Sequence, residues 1–129
     1  MSSVTVAANL EEMTQETDFD IHLAISLPED PSQTMIAEFP RKECGGAVNS
    51  FKWQDMATAR DSFTGACGQP EPIKFIRLQG SASITGVAFF DEIHGQTGVA
   101  PNGIELHPVL HVEDDPLHAH RRDLRHTLA

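Results

Sequence analysis

The stretch Ser81-Ala82-Ser83-Ile84-Thr85-Gly86-Val87-Ala88-Phe89-Phe90 decides the fold. It is rich in β-branched and aromatic residues and reads as a strand. Gly86, with no side chain to pack, sits where a small closed sheet needs a bend or bulge. Residues 91–103 then form a long polar loop with Gly95, Gly98, Pro101 and Asn102-Gly103. The loop leads into a further strand, Ile104-Glu105-Leu106-His107-Pro108-Val109-Leu110-His111-Val112. Alternation puts Ile104, Leu106, Leu110 and Val112 on one face, and Glu105, His107, Val109 and His111 on the other. Pro108 cannot donate a ladder hydrogen bond, so that point belongs at an edge or a bulge.

Working back from Ser81, residues 73–78 are a short apolar approach, and Gln69-Pro70-Glu71-Pro72 forbids a helix. Before it, a helix is expected from Asn49 or Ser50, either a plausible N-cap, to about Thr64. Phe51, Met56, Ala59 and Phe63 could share one side of it, with Lys52, Asp55, Arg60 and Asp61 available for solvent. Gly65 or Gly68 can supply the left-handed C-cap. The N-terminal part reads as a three-stranded meander: Val4 to Leu10, Asp20 to Ile25, and Thr34 to Phe39 stopped by Pro40. Glu11 to Asp18 is read as a polar, mobile connection, and Pro28 to Ser32 as a turn.

The order β-β-β-α-β-β, with one helix between strands three and four, matches a mainly β, five-stranded OB-fold-like barrel. A helix covering an open five-stranded sheet is the competing architecture. Gly86 and Pro108, as closure devices, favour the barrel. A single domain over residues 1–112 is expected. Residues 113–129, with His118, His120 and His126 beside Arg121, Arg122 and Arg125, read as a poorly ordered polar tail.

With 129 residues, 40% hydrophobic and 22% charged, the chain suits one folded domain. The net charge of −10 argues against duplex nucleic acid, which is bound by neutralising phosphates with Lys and Arg. With one Trp, Trp53 on the helix, and no Tyr, there is little to stack on single strands either. No segment approaches the ~18 apolar residues of a membrane span. Met1-Ser2-Ser3 runs straight into Val4-Thr5-Val6-Ala7 without the basic and apolar regions of a signal peptide. Cys44 and Cys67 bracket the helix as two reduced thiols or as a disulfide around it.

Chemistry concentrates in the second half. Asp91 and Glu105 stand at opposite ends of the long loop, His94 projects from it, and His107 shares a strand face with Glu105. Asp20 and His22 form a second same-face pair on the meander. On an OB barrel the ligand site is the outer face of strands two and three beside the loop between strands four and five. Imidazoles and carboxylates meeting there suit Zn²⁺ or another divalent metal, and an open position would activate a water. His22, His94, His107 and Glu105 are the candidate ligands, and Asp20, Asp91 and Glu105 the candidate acid–base groups. Each has a plainer reading. His22 and His107 could be packed across strands, Glu105 could offset a cation, Asp91 could cap the turn after Phe90, and His94 could be a simple loop residue. No GxSxG elbow surrounds Ser81, Ser83 or Thr97, and Gly95-Gln96-Thr97-Gly98 lacks the rest of a phosphate loop.

Several of these runs resemble a family of small bacterial proteins of unassigned function. They are Asp20-Ile21-His22-Leu23, Thr34 to Pro40 with Cys44, and above all Gly86 to Asp91, His94 to Gly98 and Ile104 to Leu110. The resemblance covers about residues 4–112. It implies an OB-fold-like barrel and an exported protein, and supplies no catalytic residues. Two functions follow from the residues themselves. One is a divalent-metal-dependent hydrolase of a small-molecule phosphoester or related ester. The other is a non-catalytic binding module for a small ligand, a sugar or a protein partner.

Overall fold

The computed structural model describes residues 3–41 and 53–114. The elements are β1 (Ser3–Gln15), β2 (Ile21–Leu27), β3 (Asp30–Phe39), α1 (Trp53–Cys67), β4 (Ile76–Arg77), β5 (Ser81–Phe90) and β6 (Ile104–Asp114). β1 pairs antiparallel with both β2 and β5, β2 with β3, and β5 with β6. A parallel contact between β3 and β6, Ile36 opposite Glu105 and Ala37 opposite Leu106, closes the ring. The result is the five-stranded OB-fold-like barrel with its helix between β3 and the next strand. The two-residue β4, a pairing that the sequence did not announce, lies against Glu12 and Met13 of β1.

β1 serves two neighbours because it bends. Ser3 to Asn9 pairs with β5, Asn9 to Gln15 pairs with β2, and Glu11 is the extra residue of a bulge. The bulge shifts the inward phase, so Ala8, Leu10 and Met13 are all buried. This corrects the expectation of a mobile connection beginning at Glu11. The strand continues to Gln15, and its polar residues belong to the outer face, where Ser26 Oγ donates to Glu11 Oε2 at 2.5 Å.

Ile21, Leu23 and Ile25 enter the core, as strict alternation requires. α1 packs on β3 and β6 and adds Ala59, Phe63 and Cys67 to that core. The Phe63 ring stacks on Phe39 with centroids 4.6 Å apart. The helix runs to Cys67, past the expected Thr64, and ends at Gly68, which takes φ +86° and donates its N–H to the Thr64 carbonyl. The candidate N-caps Asn49 and Ser50, together with Phe51, Lys52 and Cys44, lie outside the described residues. So does the tail, apart from Glu113 and Asp114, which extend β6 opposite Ser83 and Ala82.

In β6 the expected faces change partway. Thr85 pairs with His111, Gly86 with Val109 and Ala88 with Leu106, so β6 carries surplus residues around Pro108. Leu106 and Val109 are therefore both inside, and Leu110 is only half-buried, reversing the assignment of Val109 and Leu110 from simple alternation. Gly86 is the close-approach point. A Cβ there would lie 2.8 Å from the Pro108 carbonyl oxygen and 2.9 Å from the Leu106 Cβ. Among the described residues no helix is long and apolar enough to cross a membrane.

Two glycine substitutions should separate backbone fit from helix propensity. Gly86→Ala must push two backbones apart, and is expected to cost about 1–3 kcal/mol in urea unfolding. Gly65→Ala lies within α1 and meets nothing within 4 Å, so it is expected to gain about 0.5–1 kcal/mol. Equal effects of the two would contradict this account of closure.

Candidate functional site

The antiparallel register of β2 and β3 sets His22 opposite Glu38. Their neighbours Ile21, Leu23, Ala37 and Phe39 belong to the core, so both side chains leave the barrel on its outer face. Each is nevertheless only 5% exposed. The cover is the β5–β6 loop. Gly98, at φ +83°, lies against β2 so closely that a Cβ would sit 2.7 Å from the Ala24 Cβ. Next to it the Thr97 carbonyl accepts a hydrogen bond from His22 Nε2 at 2.8 Å. A carbonyl only accepts, so Nε2 carries a proton and Nδ1 points the other way. There it meets Glu16 Oε2 and Glu38 Oε2, each at 3.3 Å. Phe75 packs edge-on against the imidazole, with centroids 5.5 Å apart.

Glu16 comes from the tight β1–β2 loop, in which Phe19 N–H donates to the Glu16 carbonyl and Phe19 takes φ +72°. The helix holds this loop. Arg60 of α1 donates from Nη2 to the Phe19 carbonyl at 2.9 Å and from Nη1 to the Phe39 carbonyl at 3.1 Å. On the other side, the parallel contact with β3 brings Glu105 and His107 into the same wall. His107 Nδ1 lies 3.1 Å from Glu105 Oε1, and its ring meets Phe89 edge-on. Asp20 Oδ1 accepts the Arg41 N–H at 3.0 Å.

All six residues singled out from sequence, Asp20, His22, Asp91, His94, Glu105 and His107, line one cavity of about 140 Å³. Glu16, Asp18 and Glu38 line it too, and the lining includes no Lys or Arg. The six do not form one ligand set. His22 groups with Glu16 and Glu38, and His107 groups with Asp20 and Glu38, ligand atoms in each group lying within 4.8 Å of one another. A third group, Glu16, Asp18 and Asp20, meets the same limit. His94 stands at the rim, 65% exposed, 4.0 Å from Asp91. Among the described residues His94, Asp91 and Glu105 fall in no three-residue group able to hold an ion.

Glu38, Glu16 and Asp18 are the acidic residues of the cavity that sequence reading missed. Glu38 had a legible signal: folding the meander about the turn at Pro28 already sets it opposite His22. Glu16 had none, because its stretch looked like a mobile connection.

The charges balance locally. Burial opposes the His22 cation, but hydrogen bonds with Glu16, Glu38 and the Thr97 carbonyl outweigh it and hold the pKa at about 10. Burial lifts Glu38 to about 8, more than its contact with His22 can reverse. Glu16, hydrogen-bonded to His22 and to Glu38, is held below its ordinary value. At neutral pH the group is a neutral Glu38 donating to an ionised Glu16, beside an imidazolium. Burial also raises Asp20 and, against the His107 hydrogen bond, Glu105.

The donors suit a divalent ion. Nitrogen and oxygen ligands ~2.0–2.2 Å from one ion at tetrahedral angles are about 3.3–3.6 Å apart, the spacing of His22 Nδ1 from both carboxyl oxygens. A charge-assisted hydrogen bond is usually shorter, ~2.7–2.9 Å. The Thr97 carbonyl fixes the ring in the manner of an outer-shell partner to a ligating imidazole. A larger cavity of about 400 Å³ lies elsewhere, between Val6, Ile25, Leu27, Met35, Pro101 and Ile104; no titratable side chain lines it.

Stability should follow these protonations. Glu38 and His22 both have folded pKa values above their ordinary 4.5 and 6.5, so their contributions are complete below those values. They are lost as pH rises through about 8 and about 10 respectively. Glu16, shifted down, contributes above 4.5 and loses its share in acid. The melting temperature is expected to peak at about pH 4.5, where Glu16 is ionised and Glu38 still protonated, and to fall steadily to pH 10. His22→Gln should flatten the part of that fall above pH 8. A melting temperature rising from pH 7 to 10 would contradict the arrangement. Comparison of the chain with protein-family models, curated proteins and solved structures gave no match, so its chemistry is read from the site alone.

Proposed function

We propose that the protein is a divalent-metal-dependent hydrolase of small-molecule esters, phosphoesters among them. One observation carries the reading. His22 is pinned through Nε2 to the Thr97 carbonyl, so its Nδ1 faces one carboxyl oxygen of buried Glu38 and one of partly exposed Glu16, each at 3.3 Å. Glu16, His22 and Glu38 would hold the ion, zinc being the metal that best suits one imidazole with carboxylates. Bound there, such an ion supplies Lewis acidity and brings the pKa of a coordinated water to ~7.

The remaining roles belong to the chain. Glu105, raised by burial and hydrogen-bonded to His107 Nδ1, holds and releases a proton at its carboxyl oxygen, which suits a general acid or base. Asp20, also raised, is a second candidate base or a further ligand. Asp91 and His94 at the rim meet whatever enters. The β5–β6 loop keeps bulk water from His22. With no Lys or Arg in the lining, an anionic substrate depends on the ion for its charge complement, which favours small neutral esters over highly charged ones.

A second reading rests on the 400 Å³ cavity, whose size and apolar lining fall within the range of small-ligand pockets. In that case the protein is a binding module for an uncharged small molecule, and the His22 group is a hydrogen-bonded network that holds the loop to the barrel.

Elemental analysis of tag-free protein, with p-nitrophenyl ester and phosphodiester hydrolysis measured before and after chelation, decides between them. The hydrolase reading expects bound metal, activity lost on chelation and restored by the metal, and at least tenfold losses in His22→Ala and His107→Ala. Absence of metal together with full activity in His107→Ala would end it. A lowered melting temperature in His22→Ala with no metal in the parent protein would favour the binding module.

A further inference from the structure

The two imidazole-containing groups have Glu38 in common. Its carboxyl faces His22 and Glu16 on one side and belongs with Asp20 and His107 on the other, and Glu38 itself is almost wholly buried. We infer that the site holds two divalent ions, one with Glu16 and His22, one with Asp20 and His107, bridged by the Glu38 carboxylate. This deepens the proposed function and rests on it.

Charge points the same way. Six carboxyl groups and three imidazoles line a cavity of about 140 Å³ that has no Lys or Arg in its wall. Taking acidic groups out of water beside one another is costly unless cations or protons compensate. Glu38 and Glu105 are the buried acids among them, and the three carboxylates of the two imidazole groups, Glu16, Glu38 and Asp20, exceed the charge of one divalent ion when ionised, which a second ion answers. Neither group alone offers more than three protein ligands, and sharing one carboxylate lets each reach three without further residues. Paired ions ~3.5–4 Å apart, the spacing that a bridging carboxylate spans, recur in hydrolytic sites, where they act on the attacking and leaving oxygens together. His22 is buried and pinned, whereas His107 is partly exposed, so the two positions should differ in affinity.

Titration of the full chain with Mn²⁺, followed by calorimetry and electron paramagnetic resonance, tests the inference without any substrate. Two ions per chain are expected, the second binding weaker, with an exchange-coupled spectrum at saturation. His107→Ala and Asp20→Asn should each weaken the second ion about tenfold or more and leave one ion with an isolated six-line signal. Glu38→Gln, nearly the same shape, should abolish coupling and weaken both ions. Melting curves of the apo variants establish that each is folded. One Mn²⁺ per chain in the parent protein overturns the paired centre while leaving a single-ion hydrolase. Two ions with uncoupled spectra overturn the bridge, and two coupled ions in His107→Ala overturn the ligand assignment. No binding removes the paired centre and the metal reading together.

Discussion

Taking the His22 imidazole and the Glu38 carboxyl out of water behind one loop, beside a partly exposed Glu16, forces the three groups to settle their charge among themselves. His22, Glu16 and Glu38 do this by sharing protons: the imidazole is held as a cation, Glu16 as an anion and Glu38 as a neutral acid. The cavity wall contains no Lys or Arg, and of its other groups the His107 imidazole adds a smaller stabilisation of the Glu16 anion. The seal is the bond from His22 Nε2 to the Thr97 carbonyl, which ties the loop to the barrel and aims Nδ1 at the acids. A proton and a divalent cation are thus alternative answers to the same electrostatic demand, and that exchange is the physical basis of the proposed chemistry.

The barrel creates the demand. Parallel contact between β3 and β6 places Glu105 and His107 beside Glu38, although 67 positions separate Glu38 from Glu105 in the chain. The bulge at Glu11 lets one strand serve two neighbours, and Gly86 lets β5 approach the surplus residues of β6. Arg60 then binds the loop that carries Glu16 to the end of β3. Each device is local, yet together they bring six carboxyl groups and three imidazoles to one small cavity.

Much of this was legible in the residues. Alternation over Ile21 to Ile25 identified β2 and put His22 on the outer face, and the β5 segment was bounded correctly at Ser81 and Phe90. The same-face pairs Asp20 with His22 and Glu105 with His107 do line one cavity. Alternation failed where strands carry an extra residue. Beyond Glu11 in β1 and around Pro108 in β6, a bulge shifts every later side chain by one position, so Met13 and Val109 turn inward against the simple pattern. Glu38 was passed over because a lone acid in a short strand looks like ordinary surface, and only its cross-strand partner gives it meaning.

The sequence by itself determined the order of the long strands, the place of α1 among them and the outward faces of His22 and His107, because periodicity and turn chemistry are local properties of a chain. Only the tertiary structure decided which acids stand beside which imidazoles. Strand pairing and loop cover bring together residues from the β1–β2 loop, β2, β3, the β5–β6 loop and β6, and burial, which moves Glu38 and His22 so far from their ordinary titration, exists only once those segments close over one another.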